Sequence, residues 1–128
     1  MLQQFPMYAY IPAKDMTRAR KFYEDKVGFK PGEEIAGGVV YKFADHTGCF
    51  LYPTQNAGTS KASQAFWQVK DVEREVAELK KRGVEFEDYD FGPDGATVAG
   101  ILSDEGGPVN AWFTDSEGNI LAIAEDRT

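Results

Sequence analysis

The chain holds one cysteine and one histidine in 128 residues, and these two shortages exclude more chemistry than any motif suggests. Cys49 alone cannot close an intrachain disulfide, so nothing calls for an oxidising compartment, and a cytoplasmic location is expected. A single His46 removes the commonest metal ligand and the usual neutral-pH base from nearly every position. No apolar run approaches the about 18 residues of a membrane span, and Met1 to Ile11 lacks the basic and apolar regions of a signal peptide, so a soluble, untargeted chain is expected. Positive charge is short as well: 14 Lys and Arg against 21 Asp and Glu give −7 and a pI near 4.7. Nucleic acid and anionic membranes both need clustered positive charge and are not expected partners. Gly-x-Ser-x-Gly, Cys-x-x-Cys and His-Glu-x-x-His are all missing. The glycine clusters Gly37-Gly38, Gly92-Pro93-Asp94-Gly95 and Gly106-Gly107-Pro108 match no phosphate loop and read as turns.

What is there suits one packed domain, with 42% hydrophobic and 13% aromatic residues. Phe5 to Pro12 reads as a strand, and Asp15 stands where an N-cap belongs. Met16, Ala19, Phe22, Tyr23 and Val27 then recur at helical spacing until Gly28 stops the pattern. Three short strands follow at Phe29 to Ile35, Val39 to Ala44 and Cys49 to Tyr52, with His46 in the turn Asp45 to Gly48. The polar stretch 54–63 reads as a connector. The order then returns: a strand at Gln64 to Val69, a cap at Asp71, and an amphipathic helix ending at Lys80-Lys81-Arg82-Gly83. After it come strands at Val84 to Phe91 and Thr97 to Leu102, and a hairpin of Val109 to Thr114 and Asn119 to Ala124 around Asp115 to Gly118.

Spacing makes the repeat explicit. Tyr8 stands seven positions before Asp15 and Gln64 seven before Asp71, while Asp45 to Gly48 and Asp115 to Gly118 each span three. Residues 8 and 64 correspond at an offset of 56 and residues 52 and 122 at an offset of 70, so the second unit carries 14 extra residues. The domain 1–128 is thus expected to comprise a first module, 1–53, the connector 54–63, and a second module, 64–128.

Ile11-Pro12-Ala13-Lys14-Asp15 before a helix with Phe22-Tyr23 and Val27-Gly28-Phe29 is the first part of a larger pattern. Val69-Lys70-Asp71 before a helix ending Arg82-Gly83-Val84, and Trp112 to Asn119, complete it. In this order the pieces resemble the vicinal oxygen chelate superfamily of glyoxalases, bleomycin-resistance proteins and extradiol dioxygenases, over almost the whole chain. The resemblance implies an α+β fold of two βαβββ modules, whose curled mixed sheets form a cavity with helices on the outer face, and commonly a homodimer. Metal-using members place His, Glu or Gln on the first and last strand of each module. Here those four positions are Tyr8, Tyr52, Gln64 and Ala122. Only the neutral amide of Gln64 is an ordinary, weak ligand; a phenol would have to ionise from a pKa of about 10, and alanine offers nothing. No metal and no cofactor are therefore expected.

Strand alternation assigns faces. Tyr8, Tyr10 and Pro12 turn to the cavity with Tyr52, while Ala9 and Ile11 face the helices. Gln64, Phe66 and Gln68 turn inward and Trp67 and Val69 outward; in the last hairpin Ile120, Ala122 and Ala124 face the cavity, and the family resemblance implies that Phe113 belongs to the core, which leaves Asn110 and Trp112 for the cavity. The candidate ligand-binding set is Tyr8, Tyr10, Tyr52, Gln64, Phe66, Gln68, Asn110, Trp112 and Ala122, with no catalytic residue assigned. Aromatic faces with a few amides suit a planar or apolar small molecule. Asp15 and Asp71 read as helix caps, Asp115 and Glu117 as turn formers, His46 as a solvated turn residue and Cys49 as core filler. The expectation is a bleomycin-resistance-like protein that binds or sequesters a small aromatic or hydrophobic molecule. The alternative is a glyoxalase-type lyase or isomerase with a displaced metal, or a metal-free site in which Tyr8, Tyr10 or Tyr52 supplies a proton or an oxyanion hydrogen bond. A cavity filled by its own side chains, leaving a scaffold, is a third reading.

Overall fold

The structure is a computed structural model that describes residues 1–103 and 108–126. The first module runs β1 (Tyr8–Ala13), α1 (Met16–Lys21), β2 (Glu33–Ile35), β3 (Gly38–Lys42) and β4 (Gly48–Pro53). The second runs β5 (Phe66–Val69), α2 (Val72–Lys81), β6 (Ile101–Ser103), β7 (Val109–Thr114) and β8 (Ile120–Glu125). Each forms a four-stranded mixed sheet of the same topology, β1-β4-β3-β2 and β5-β8-β7-β6, in which the first and last strands of the module run parallel. The architecture is α+β, two βαβββ modules with curled sheets not closed into a barrel.

Both helices start where the sequence places them. Asp15 accepts from the Arg18 N–H at 3.0 Å and Asp71 from the Arg74 N–H at 3.1 Å, so both aspartates are N-caps. The first helix departs from its expected length: regular α-helix ends at Lys21, and Phe22–Val27 form a wider π-type turn closed by Gly28 at φ 92°. The widening lets Phe22 and Tyr23 both point into the core. Three expected strands are shortened or absent. Phe29 to Ile35 pairs only over Glu33–Ile35, Val84 to Phe91 makes only isolated bridges, and Thr97 to Leu102 pairs regularly only from Ile101. The first strand starts at Tyr8, three residues after the expected Phe5, and expected strand ends elsewhere shift by no more than two residues. The two glycines of the expected turn at Gly106-Gly107-Pro108 lie outside the described residues.

The modules join through their helix-side faces. Ile11, Ala13, Tyr41, Cys49 and Leu51 from the first sheet share one core with Phe113 and Leu121 from the second. Trp67 is the seam, its ring centroid 5.9 Å from Phe29, 5.5 Å from Phe43 and 6.2 Å from Phe113. Val72 and Val76 seat α2 on Val109, Ala111 and Ile123.

Across this seam lies a polar clasp that corrects the reading of Asp115 and Glu117 as simple turn formers. Both do sit in the turn between β7 and β8, but both are buried. Asp115 Oδ1 accepts from the Glu117 and Asn119 N–H groups, while Oδ2 accepts from the Tyr23 hydroxyl at 2.6 Å and the Asn119 amide at 2.8 Å. Glu117 reaches the start of α1: its carboxylate accepts from the Lys14 and Asp15 N–H groups, each at 2.9 Å, and from Arg18 Nε at 2.7 Å and Nη2 at 3.0 Å. Asn119 Nδ2 also donates to the Pro12 carbonyl at 2.7 Å, and its Oδ1 accepts from the Gly58 N–H of the connector. The connector approaches so closely that a Cβ on Gly58, at φ +75°, would stand 2.5 Å from the Glu117 carbonyl oxygen.

Burial pushes the Glu117 carboxyl up, but the Arg18 hydrogen bond, the Asp15 N–H, Ser116 and the Arg18 charge outweigh it and hold the group at about 2. A folded pKa below the unfolded value contributes stability above about pH 4.5 that is lost as pH falls toward 2. Glu117→Gln should therefore lower unfolding free energy at pH 7 by about 2–3 kcal/mol, the range for hydrogen bonds to charged groups. The variant should also show a shallower loss of stability between pH 4.5 and 2 than the parent, as read by urea titration at each pH.

Candidate functional site

On each sheet the face away from the helices is open, and strand register lays out its side chains in rows. In the first module Tyr8, Tyr10 and Pro12 of β1 lie opposite Gly48, Phe50 and Tyr52 of β4. Tyr10, Phe50 and Tyr52 form one ring cluster, with centroids 5.3 to 6.2 Å apart. The Tyr8 ring lies over Gly48, where a Cβ would come within 2.7 Å of Tyr8 Cε2. Glycine at 48 thus makes the bed for that ring. Tyr8 is 39% and Tyr10 68% exposed.

The second module presents a different surface. Phe66 lies opposite Ala122, which lies opposite Trp112; Gln68 lies opposite Ala124, which lies opposite Asn110. Two alanines therefore floor a groove between a phenylalanine on one side and a tryptophan on the other. Gln64, Phe66, Asn110, Trp112, Ala122 and Ala124, with Ser63 and Ala65, enclose a pocket of about 220 Å³. Among the described residues no ionisable side chain lines it.

The nine expected residues accordingly fall into two groups. Gln64, Phe66, Asn110, Trp112 and Ala122 meet around the groove, and Gln68 is in the same face beyond it. Tyr8, Tyr10 and Tyr52 belong to the open face of the other module. Among the described residues no ring contact joins one open face to the other; the ring contacts between modules, such as Phe22 with Phe113, lie on the helix side. Pro12, expected in the cavity, is buried.

Several neighbours escaped the sequence reading. Phe50 belongs with Tyr10 and Tyr52, and its two-residue spacing from Tyr52 is the signal that places it there. Tyr89 and Phe91 pack on Trp112 with centroids at 5.7 and 5.5 Å; reading 84–91 as one sheet strand hid them. A separate hollow of about 380 Å³ opens between Phe29–Glu33 and Val40–Phe43 at the edge of β3, and holds none of the nine.

At the four positions that the resemblance singles out for metal ligands stand two phenols, a neutral amide and a methyl group, a donor set that does not fit a metal. Tyr8 and Tyr52 lie on one open face, and Gln64 and Ala122 on the other. Among the described residues no group of three or more His, Cys, Asp or Glu could hold an ion. The remaining reactive groups are also placed away from both faces. His46 is exposed in the turn between β3 and β4. Cys49 is 1% exposed on the helix side, and burial pushes its thiol up to about 12 against a smaller lowering by a backbone hydrogen bond at Tyr41.

A fold of two βαβββ modules with paired sheets defines the class, and the comparisons define the family. The chain belongs to the Glyoxalase/Bleomycin resistance protein/Dioxygenase superfamily, whose model matches residues 5–123. No curated protein sequence matches it. Among solved structures, a glyoxalase/bleomycin resistance protein from Catenulispora acidiphila is similar at a TM-score of 0.72 and 18% identity, covering 95% of this chain and 98% of that one. An antibiotic-binding protein from a Streptomyces species is similar at 0.65 and 20% identity, covering 98% of both chains. A lactoylglutathione lyase from Agrobacterium tumefaciens is similar at 0.65 and 18% identity, covering 94% and 92%. At these identities the likeness establishes the fold.

The position of Cys49 makes a simple check available. An aromatic disulfide reagent at pH 8 should leave the native chain unlabelled over an hour and label one thiol at once in 6 M guanidinium.

Proposed function

We propose that the chain binds and sequesters a planar aromatic or hydrophobic small molecule, without a metal and without turning it over. The groove of the second module carries this reading: two facing aromatics, Phe66 and Trp112, over a floor of Ala122 and Ala124, with the neutral amides of Gln64 and Asn110 beside them. Stacking supplies affinity for a flat apolar body, and the amides orient it through one or two hydrogen bonds. Proton-transfer chemistry on a bound molecule needs a base, and among the described residues the groove lining contains none. That an antibiotic-binding protein shares the fold over 98% of both chains supports the same reading. The net charge of −7 favours neutral or cationic ligands at long range.

The binding unit in this reading is a homodimer. A pocket of about 220 Å³ is smaller than the roughly 300–1,000 Å³ that enclose most small-molecule ligands, and it is open on one side. The two open faces differ in what they present: one carries four rings, Tyr8, Tyr10, Phe50 and Tyr52, and the other a slot floored by alanines. A two-fold axis that laid the rings of each copy over the slot of the other would close two equivalent cavities. It would also cover Tyr10 and Phe66, which are 68% and 64% exposed in the single chain.

Fluorescence titration with acridine orange, a flat cationic tricycle, should show saturable binding that quenches Trp112. Ala122→Phe, which fills the slot, should weaken it by at least tenfold without lowering the melting temperature by more than a few degrees. A dye that neither binds nor is blocked by Ala122→Phe would refute the site. In sedimentation, the parent should run as a dimer and Tyr10→Lys as a monomer; a monomeric parent would refute the covering copy.

A further inference from the structure

The modules differ most in how each chain approaches the free edge of its sheet. In the first, Phe29 to Gly32 lead straight into β2. In the second, Phe86 bridges Phe113 and the Glu87 N–H donates to the Trp112 carbonyl at 2.8 Å, after which the chain leaves the edge of β7 and returns only at Ile101, opposite Ala111. Between these points it folds into a hairpin over residues 88–100. The Thr97 N–H donates to the Tyr89 carbonyl at 2.8 Å, the Tyr89 N–H to Thr97 Oγ1 at 2.7 Å, and the Phe91 N–H to the Gly95 carbonyl at 2.8 Å. The neck is pinned by Asp88 Oδ1, which accepts from the Gly100 N–H and Thr97 Oγ1, both at 2.8 Å, and by Lys80 Nζ of α2, which donates to the Ala99 carbonyl.

So many bonds in a surface hairpin fix the two side chains that alternate onto one of its faces, Tyr89 and Phe91. Both meet Trp112: Tyr89 at 5.7 Å with the planes at 78°, Phe91 at 5.5 Å and 55°, and their own centroids are 5.7 Å apart. Trp112 thus has the ligand groove beside it and two rings braced against it. Phe66 and Trp112 stand two strands apart, about 10 Å between backbones at the usual spacing. Ring contact distances of about 3.5–4 Å on each side leave room for one flat ring system between them.

We propose that the hairpin over residues 88–100 is a specificity element, in which Tyr89 and Phe91 are positioning residues that hold the Trp112 indole as a fixed wall and so make the groove select flat molecules over twisted ones. The inference rests on the small-molecule reading of the groove and names the shape that the groove accepts. It also assigns a task to the extra residues of the second module, which have no counterpart in the first.

The experiment uses the full chain carrying Trp67→Phe, so that Trp112 is the one tryptophan, with and without Tyr89→Leu and Phe91→Leu. Phe91 is 40% exposed, so Phe91→Leu alone is a second variant that leaves the core intact. Two readouts are taken: acrylamide quenching of the indole without ligand, and the affinity ratio of acridine orange to crystal violet, a cationic dye of similar charge whose rings are twisted. The double variant should raise the quenching constant about twofold and weaken acridine orange about tenfold, the scale of one or two lost aromatic pairs. It should bring the ratio of the two dyes close to one. Equal quenching in parent and variants overturns the wall, whether or not a dye binds. Unchanged dye selectivity in a chain that binds acridine orange overturns the specificity role alone, and failure of both dyes to bind the parent overturns that role together with the binding reading beneath it.

Discussion

The two-module arrangement depends on a buried carboxylate and the guanidinium that closes over it. Glu117, in the turn between the last two strands, accepts two N–H groups from the start of the first helix and two from Arg18, and its side chain has no solvent exposure while that of Arg18 is 54% exposed. A carboxylate removed from water costs several kcal/mol unless its lone pairs are filled. Here the Ser116 hydroxyl supplies one donor from the same turn and the other four come from the first module, so most of the cost of burial is recovered only when the modules are docked. Asp115, two residues earlier in the same turn, is filled by Tyr23 of the first module and by Asn119 of its own. Burial, and then the Asp115 charge, hold the Tyr23 hydroxyl well above its ordinary range, in keeping with its role as a donor to Asp115.

That clasp decides which surfaces are left over. It ties the turn 115–119 to the ends of β1 and α1, and the Trp67 seam lies on the same side. Joining the modules there spends their helix-side faces on the core and leaves both sheet faces turned outward. Single-chain closure of the two open faces would require breaking the clasp. Ile11, Leu51, Phe113 and Leu121 supply stability from the helix side, so the open faces are free of that task and, on the proposed reading, can carry alanines and neutral amides suited to a ligand.

Much of this is legible in the sequence because it is local. Asp15 and Asp71 read as caps from their neighbours alone, and strand parity separates Ile11 and Trp67 from Tyr10 and Phe66 without knowledge of what either side touches. The family likeness follows from the order of such local signals. What stays hidden is long-range. Asp-Ser-Glu-Gly is ordinary turn chemistry, and nothing within the turn reveals that Glu117 will find donors about 100 residues away. Alternation places Tyr52 and Gln64 on open faces but not on separate ones, since parity within a strand says nothing about how two sheets are turned. Val84 to Phe91 carries strand alternation without a strand partner along its length, because its rings are satisfied by Trp112 across a hairpin instead of by a neighbouring ladder.

The chemistry of the two open faces then narrows what such a fold can be asked to do. Whichever faces are brought together, Tyr8, Tyr52, Gln64 and Ala122 offer two phenols, a neutral amide and a methyl group, of which only the amide is an ordinary, weak metal ligand. Replacing charged donors by rings and alanines removes the desolvation cost that a buried carboxylate would impose on an apolar ligand. It also removes the base that would act on that ligand. On the proposed reading, the residues that suit the groove to a flat body also leave it, among the described residues, without a base to transform one, which favours binding over turnover.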